Sequence, residues 1–197
     1  ITIVEGDELL EAKMTDGNSE IMMALKSGRA IRFEESKVRS TGRGAIGVGG
    51  IEVDDSKDEV VGMICVNKED ATRTILVVSE KGYGKRTPVD EYRITNRGGK
   101  GVTTLNVTEK TGKVAAAMAV HDDDELMLIT CKGQNVRIRV GGEKGIRETG
   151  RNAQGVKLMD LKKDETIQDV ATVIADEEDE VADEATTDEV VTGESVD

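Results

Sequence analysis

Ile21-Met-Met-Ala-Leu-Lys-Ser-Gly28-Arg-Ala-Ile-Arg32 returns twice further along the chain. The second copy is Ile75-Leu-Val-Val-Ser-Glu-Lys-Gly82-Tyr-Gly-Lys-Arg86, and the third is Leu126-Met-Leu-Ile-Thr-Cys-Lys-Gly133-Gln-Asn-Val-Arg137. Each then reaches a Gly-Val pair: Gly47-Val48, Gly101-Val102 and Gly155-Val156. These pairs lie 54 residues apart both times, and the earlier glycines lie 54 and 51 apart. A period near 50 belongs to the range of propeller-like arrays. Within each repeat an apolar run stops at Ser27-Gly28, Lys81-Gly82 or Lys132-Gly133, pairs that accept positive φ and suit hairpin turns. Further strand pairs are expected at 50–53 and 59–66, at 102–107 and 114–120, and at 156–161 and 167–173. Four short strands per repeat predict an all-β, radial, propeller-like fold of four-stranded blades with a period near 54 residues. Helix signals are nearly absent, although 34–38 can form a single turn.

The repeats set the expected boundaries: blades at 20–72, 73–122 and 123–175, preceded at 1–19 by the end of a truncated blade. Ile1-Thr-Ile-Val-Glu-Gly-Asp-Glu-Leu-Leu-Glu-Ala-Lys-Met14 resembles only the second half of a repeat, its last two strands. The chain starts at Ile1, without Met, inside an apolar run, so a fragment of a larger array is expected.

The 197 residues hold 27 Lys+Arg against 40 Asp+Glu, a net charge of −13. Eleven acidic and no basic residues fall in 176–197, which leaves 29 acidic and 27 basic before it. The acidity therefore comes mostly from this tail. Without aromatics or a periodic apolar face, the tail is expected to be disordered. It is also a candidate electrostatic decoy whose removal should strengthen binding of an anionic partner at low salt. No apolar run approaches the length that spans a membrane, and no secretory signal is present. Cys65 and Cys131 have no metal spacing, fit a reducing cytoplasm, and are read as core packing within apolar strands. Asp122-Asp-Asp-Glu125 lacks the ligand alternation of a calcium loop and reads as a solvated turn. His121 has no metal-spaced partner. Gly42-Arg-Gly-Ala-Ile-Gly47 mimics a phosphate loop without the strand-loop-helix setting and reads as a blade turn. No metal site and no acid-base or nucleophile-base constellation emerges, so a free-standing enzyme is the weakest reading.

Basic residues do recur in register. Four residues after the first glycine stand Arg32, Arg86 and Arg137; eleven after it stand Arg39, Arg93 and Lys144. Four before the second glycine stand Arg43, Arg97 and Arg151, and Lys85 and Lys100 join the same motifs. A basic band repeated once per blade suits the phosphate backbone of double-stranded DNA bent around a curved rim. Phe33, Tyr83 and Tyr92 are too few to stack single-stranded bases. The competing reading of the columns is solvated strand-edge charge. A protein-interaction propeller is the rival from another class, but its exposed aromatic loops are missing.

Gly82-Tyr-Gly-Lys-Arg-Thr87 with Glu91-Tyr92, Arg97-Gly-Gly-Lys-Gly-Val102 and Gly150-Arg-Asn-Ala-Gln-Gly-Val156, followed by an acidic tail, resemble the C-terminal domain family of DNA gyrase A. Residues 1–175 resemble the second half of that domain. The resemblance implies a β-pinwheel of about six blades that wraps DNA with positive handedness. It also implies work beside the rest of gyrase A and beside gyrase B, in a heterotetramer of two copies of each that introduces negative supercoils. ATP and Mg2+ would act elsewhere in that enzyme, with no cofactor here, in the cytoplasm and on the nucleoid. Thr95-Asn-Arg-Gly-Gly-Lys-Gly101 keeps the last five of the seven positions of the family's signature box and reads as a degenerate echo of it. The catalytic tyrosine belongs to regions that do not match, and Tyr83 and Tyr92 receive no catalytic role. The related C-terminal domain of topoisomerase IV, a decatenating enzyme, is the nearest alternative.

Overall fold

The computed structural model describes residues 1–54, 58–70 and 72–173. The acidic segment 176–197, expected to be disordered, lies outside the described residues.

Each repeat opens with the hairpin that its turn glycine dictates. The strands are β1 (Glu20–Leu25) and β2 (Arg29–Glu34), β4 (Thr74–Ser79) and β5 (Tyr83–Pro88), and β8 (Glu125–Thr130) and β9 (Asn135–Arg139). Gly28, Gly82 and Gly133 all take left-handed φ, at +84°, +77° and +81°. A third antiparallel strand flanks the first strand of each hairpin: β3 (Val60–Val66), β7 (Val114–Val120) and β11 (Ile167–Val173). The expected single turn at 34–38 is the 3₁₀ turn Glu35–Lys37, with a counterpart at Val89–Glu91.

In the first two sheets a fourth strand comes from elsewhere, while the third has three strands among the described residues. The two-residue strands β6 (Val102–Thr103) and β10 (Val156–Lys157) start at the Gly-Val pairs, and each joins the sheet of the preceding blade. The sheet orders are β3-β1-β2-β6, β10-β5-β4-β7 and β11-β8-β9. Four strands per blade was the expectation; the exchange between blades was not part of it. Residues 50–53 form no strand, nor do residues 1–19. The N-terminal segment leaves Leu9, Leu10 and Met14 exposed.

The core sits between blades rather than within them. Ile75 and Val77 of β4 pack toward the first blade, against Met22, Ile64 and Tyr92, while Leu76 and Val78 pack toward the third, against Leu126, Leu128 and Ile146. β4 is therefore buried along its whole length and reads as a continuous apolar run. β8, covered on one face, alternates buried and half-buried residues. A smaller cluster of Ile21, Ile31 and Phe33 occupies the far face of the first blade.

Strand exchange requires the two backbones to touch. Gly101 (φ +67°) lies against the Ala30 carbonyl and Gly155 (φ +83°) against the Gly84 carbonyl, so closely that a Cβ would overlap each. Gly101→Ala and Gly155→Ala meet both the clash and the cost of a left-handed alanine, about 1–2 kcal/mol from the backbone alone. Each is expected to lower the urea midpoint clearly. Gly142→Ala, at positive φ with open space around it, carries only the backbone cost. Equal losses at all three positions would show that the close approach contributes nothing.

Candidate nucleic-acid interface

The junction between blades decides which basic side chains reach solvent. Arg32 donates from Nε to Glu20 Oε2 at 2.6 Å, and from Nη1 to the carbonyls of Val89 at 2.8 Å and Tyr92 at 3.0 Å. Arg86 is buried; it donates from Nε to the Ile146 carbonyl at 2.7 Å and pairs with Asp122 through Nη1. In both cases the guanidinium of one blade grips the backbone of the next. A buried guanidinium has to keep such partners, since leaving it bare costs several kcal/mol. The geometry thus turns Arg32 and Arg86 inward, away from the phosphate contacts expected of them, and makes them clamps between blades. Arg137, the third member of that column, is half-exposed and shares Glu125 with Arg139. Hydrogen bonds from Arg137 first, then from Arg139, hold the Glu125 carboxyl below its ordinary range.

Lys85 is also inside. Its ammonium donates to the carbonyls of Gly150 at 2.7 Å and Arg151 at 2.6 Å, and to Thr87 Oγ1 at 3.3 Å. Burial, reinforced by the charge of Arg151 and opposed by Glu91, pulls its pKa from 10.5 down to about 8. Between those values the unfolded chain holds a proton that the folded chain has released. Unfolding then takes up a proton, so this residue makes stability rise with pH above 8; below 8 its charged form bears the full burial cost. Urea titrations at pH 8 and pH 9.5 should show that rise, up to roughly 2 kcal/mol at 1.36 kcal/mol per pKa unit. The rise should be absent in Lys85→Met. An equal rise in both proteins would place its origin in other groups.

Exposed members of the recurring basic columns lie in the loops that run from the 3₁₀ turns to the Gly-Val strands. Arg39 and Arg93 are exposed and have no ion-pair partner among the described residues. In the third blade, Lys144 is exposed but does not occupy the equivalent place. Tyr92 and Ile146 are the matching buried residues, both gripped by the arginine of the preceding blade. The bridges Arg32↔Ile94 and Arg86↔Glu148 extend the same match, so the counterpart of Arg93 is Arg147. The first glycine and the Gly-Val pair lie 19, 19 and 22 residues apart in the three repeats. Counting back from the second glycine instead of forward from the first would have found Arg147, which is exposed.

The remaining column is divided. Arg43 is exposed, but Arg97 donates to the carbonyls of Lys37 and Gly49, both at 2.9 Å, and Arg151 to that of Thr103 at 3.2 Å. Lys100 stands in solvent beside Asp54 at 3.3 Å. Residues 39–49, 93–103 and 147–157 together carry eight basic residues and one acidic residue, Glu148. Each blade thus presents one exposed, acid-poor, basic strip. Phe33 and Tyr92 are buried, and Tyr83 is half-buried with Lys110 Nζ 5.3 Å from its ring centre, so these strips offer backbone contacts rather than base stacking.

The other candidates resolve simply. His121 Nε2 lies 3.0 Å from Asp70, whose carboxyl is held well below its ordinary range chiefly by hydrogen bonds from Thr72 and Arg73. Cys65 is half-buried, but Cys131, expected in the core, is exposed. It stands one residue beyond β8, where the chain has already begun its turn. No helix among the described residues is long and apolar enough to cross a membrane.

Comparison with known proteins agrees with this architecture. The chain is 41% identical over 187 residues to the DNA gyrase A protein of Staphylococcus aureus strain MRSA252, and 42% identical over 180 residues to that of strain NCTC 8325 / PS 47. These matches cover 95% and 91% of this chain but only 20% of either relative, so the chain spans about a fifth of their length. A solved DNA gyrase A C-terminal domain superposes with a TM-score of 0.71 at 30% identity, covering 80% of this chain and 51% of that one. The C-terminal domain of a DNA topoisomerase IV superposes with a TM-score of 0.81 at 24% identity, covering 93% and 56%, a likeness of fold. The family described as "DNA gyrase C-terminal domain, beta-propeller" matches residues 19–67, 73–121 and 124–174, one segment for each blade, and the chain belongs to that family.

Proposed function

We propose that this chain binds duplex DNA along its three basic strips and bends it around the edge of the blades, as the wrapping part of a DNA gyrase. In this reading it works with the rest of gyrase A and with gyrase B, two copies of each, on the nucleoid in the cytoplasm. ATP and Mg2+ act in other parts of that enzyme. This chain contributes no reacting group, only the path of the DNA. The observation that carries the reading is the recurrence of Arg39, Arg93 and Arg147 at one position of every blade, exposed and without an acidic partner among the described residues. Arg43, Arg97, Arg151 and Lys100 lie in the same strips, and Lys144 close by. Such side chains neutralise phosphates without reading bases, so affinity should fall steeply with salt and depend little on DNA sequence. Bending costs on the order of 1–6 kcal/mol, offset by contacts that a straight duplex cannot make.

Two measurements test this. Unrelated 40-bp duplexes should bind with similar affinity and with a log K against log salt slope of several counterions. A nicked circle sealed by ligase in the presence of the chain should be left with altered, positively wrapped linking number. Binding indifferent to salt, or sealing that leaves the linking number unchanged despite saturation, would remove the wrapping role.

A further inference from the structure

Lys85 is a buried charge without a counterpart in the other repeats. Three residues after the turn glycine stand Ile31, Lys85 and Val136. Ile31 and Lys85 are 2% and 0% exposed, so this is a core position that the blade before fills with an aliphatic side chain. Burial of the ammonium is costly enough to bring its pKa down to about 8. Apolar residues of similar volume often match or exceed a buried charge in stability, so packing does not account for a lysine here. All three of its donors are used. Thr87 Oγ1, at 3.3 Å, belongs to its own strand, but the Gly150 and Arg151 carbonyls, at 2.7 and 2.6 Å, belong to the third basic strip, 147–157.

The second strip holds the same loop in another way. Counted back from the Gly-Val pair, Asn96-Arg97-Gly98-Gly99 corresponds to Gly150-Arg151-Asn152-Ala153. The first of these loops is fastened from outside, to the first strip and the residues just beyond it. Arg97 donates to the Lys37 and Gly49 carbonyls, the Gly98 N–H to the Gly50 carbonyl at 2.6 Å, and the Glu52 N–H to the Gly99 carbonyl at 3.0 Å. From inside it meets only an aliphatic side chain: a Cβ on Gly99 would lie 3.8 Å from Ile31 Cδ1. In the third strip the outer hold shrinks to one side-chain bond, from Arg151 Nη1 to the Thr103 carbonyl at 3.2 Å. Among the described residues, Arg151 Nε is buried without an acceptor and no backbone hydrogen bond joins 147–157 to 93–103. Lys85 thus supplies from inside the hold that the second strip receives from outside.

We propose that Lys85 is a positioning residue for the DNA path: it never meets the duplex, but by holding the Gly150 and Arg151 carbonyls it sets the third strip, and with it the exposed guanidinium of Arg147. The inference rests on the reading of these strips as the DNA path. The link from Lys85 to Arg147 is short. The Arg147 carbonyl accepts the N–H of Arg86, the residue after Lys85, at 3.4 Å, and the Thr149 N–H donates back to the Arg86 carbonyl at 2.8 Å. One end of the segment 147–151 is therefore bonded to the backbone beside Lys85, and the other end to the Lys85 side chain. Gly150 is exposed and has no side chain to anchor it. Without the ammonium its carbonyl turns to water and the segment loses its second attachment. An arginine on a fixed backbone gives up less freedom on meeting a phosphate than one on a mobile loop, so the loss reaches binding through Arg147.

The test is a double-variant cycle on the whole 197-residue chain. It reads the slope of log K against log salt for a 40-bp duplex, with a urea midpoint measured beside each titration. Arg147→Ala should lower the slope by about 0.9, at 0.9 counterion per neutralised phosphate. Lys85→Met should lower it by the same amount, so that its gain in affinity between 200 and 50 mM salt is about three- to fourfold smaller than that of the unmodified chain. The double variant should lose no more slope than either single variant, because the two act through one contact. Amide hydrogen exchange should quicken at 150–154 in Lys85→Met and stay unchanged at 96–100. An unchanged slope in Lys85→Met beside a lowered one in Arg147→Ala would overturn the inference and leave the DNA path standing. Additive losses would overturn it too, since Lys85 would then act by its own charge. An unchanged slope in Arg147→Ala would instead remove the path at this strip, and the inference with it. If Lys85→Met shows no cooperative urea transition, Lys85→Gln, which keeps an NH2 donor for one carbonyl, takes its place in the cycle. Loss of the transition in both variants would make Lys85 a requirement of the fold and overturn its role in the path.

Discussion

Replacing Arg39, Arg93 and Arg147 together with alanine is expected to lower the slope of log K against log salt for duplex binding by about 2.7, at 0.9 counterion per neutralised phosphate. Between 200 and 50 mM salt the unmodified chain should therefore gain about fortyfold more affinity than the variant. The loss should be the same for unrelated duplexes, because phosphate contacts carry no sequence information. Stability should hardly change, since the three side chains are exposed and have no ion-pair partner among the described residues. Isothermal or anisotropy titrations across four salt concentrations, with a urea midpoint measured alongside, check both halves. An unchanged slope with an unchanged urea midpoint would move the DNA path off these loops.

Arg32→Ala is expected to do the opposite: a large loss of stability that reaches DNA binding only through the fold. The Arg32 and Glu20 side chains are 11% and 4% exposed. Removing the arginine leaves a buried carboxylate without its partner, which typically costs 3–5 kcal/mol. It also strips the Val89 and Tyr92 carbonyls of their donor across the junction. For a chain of this size that corresponds to a fall in Tm of about 6–20 °C. Arg32→Met with Glu20→Leu removes both charges and should recover most of the loss, because a buried ion pair is often matched by apolar residues of similar volume. Calorimetry of the single and double variants decides it. A single variant with unchanged Tm would show that the clamp contributes nothing. Arg86 should behave alike, though Asp122 is mostly exposed and bears less of the cost.

The two variants differ although both delete arginines that recur once per blade, and the difference marks what could be read without coordinates. The period, the hairpins and their left-handed turn glycines were legible because each is written locally. A glycine after an apolar run permits positive φ, and runs of a few residues between such turns make strands. The 3₁₀ turn at Glu35–Lys37 and the strands Val60–Val66, Val114–Val120 and Ile167–Val173 were legible for the same reason.

The sequence by itself also determined that each repeat passes through a Gly-Val pair, but not whose sheet that pair joins. β6 and β10 have two residues each, too short to announce a partner, and only the packing of one blade on the next places them beside β2 and β5. The same packing divided the arginines. Arg32 and Arg93 are the same residue type in equally regular columns. One meets two carbonyls delivered from some sixty residues away, and the other meets solvent. Lys85 sits one residue before Arg86 and is buried because Gly150 and Arg151 bring their carbonyls to it. Three extra residues in the last repeat put Arg147 rather than Lys144 at the position equivalent to Arg39 and Arg93. Local chemistry decides whether a backbone turns or extends. Whether a charged side chain is a clamp or a contact depends on partners supplied by the neighbouring blade, and those only the tertiary structure brings together.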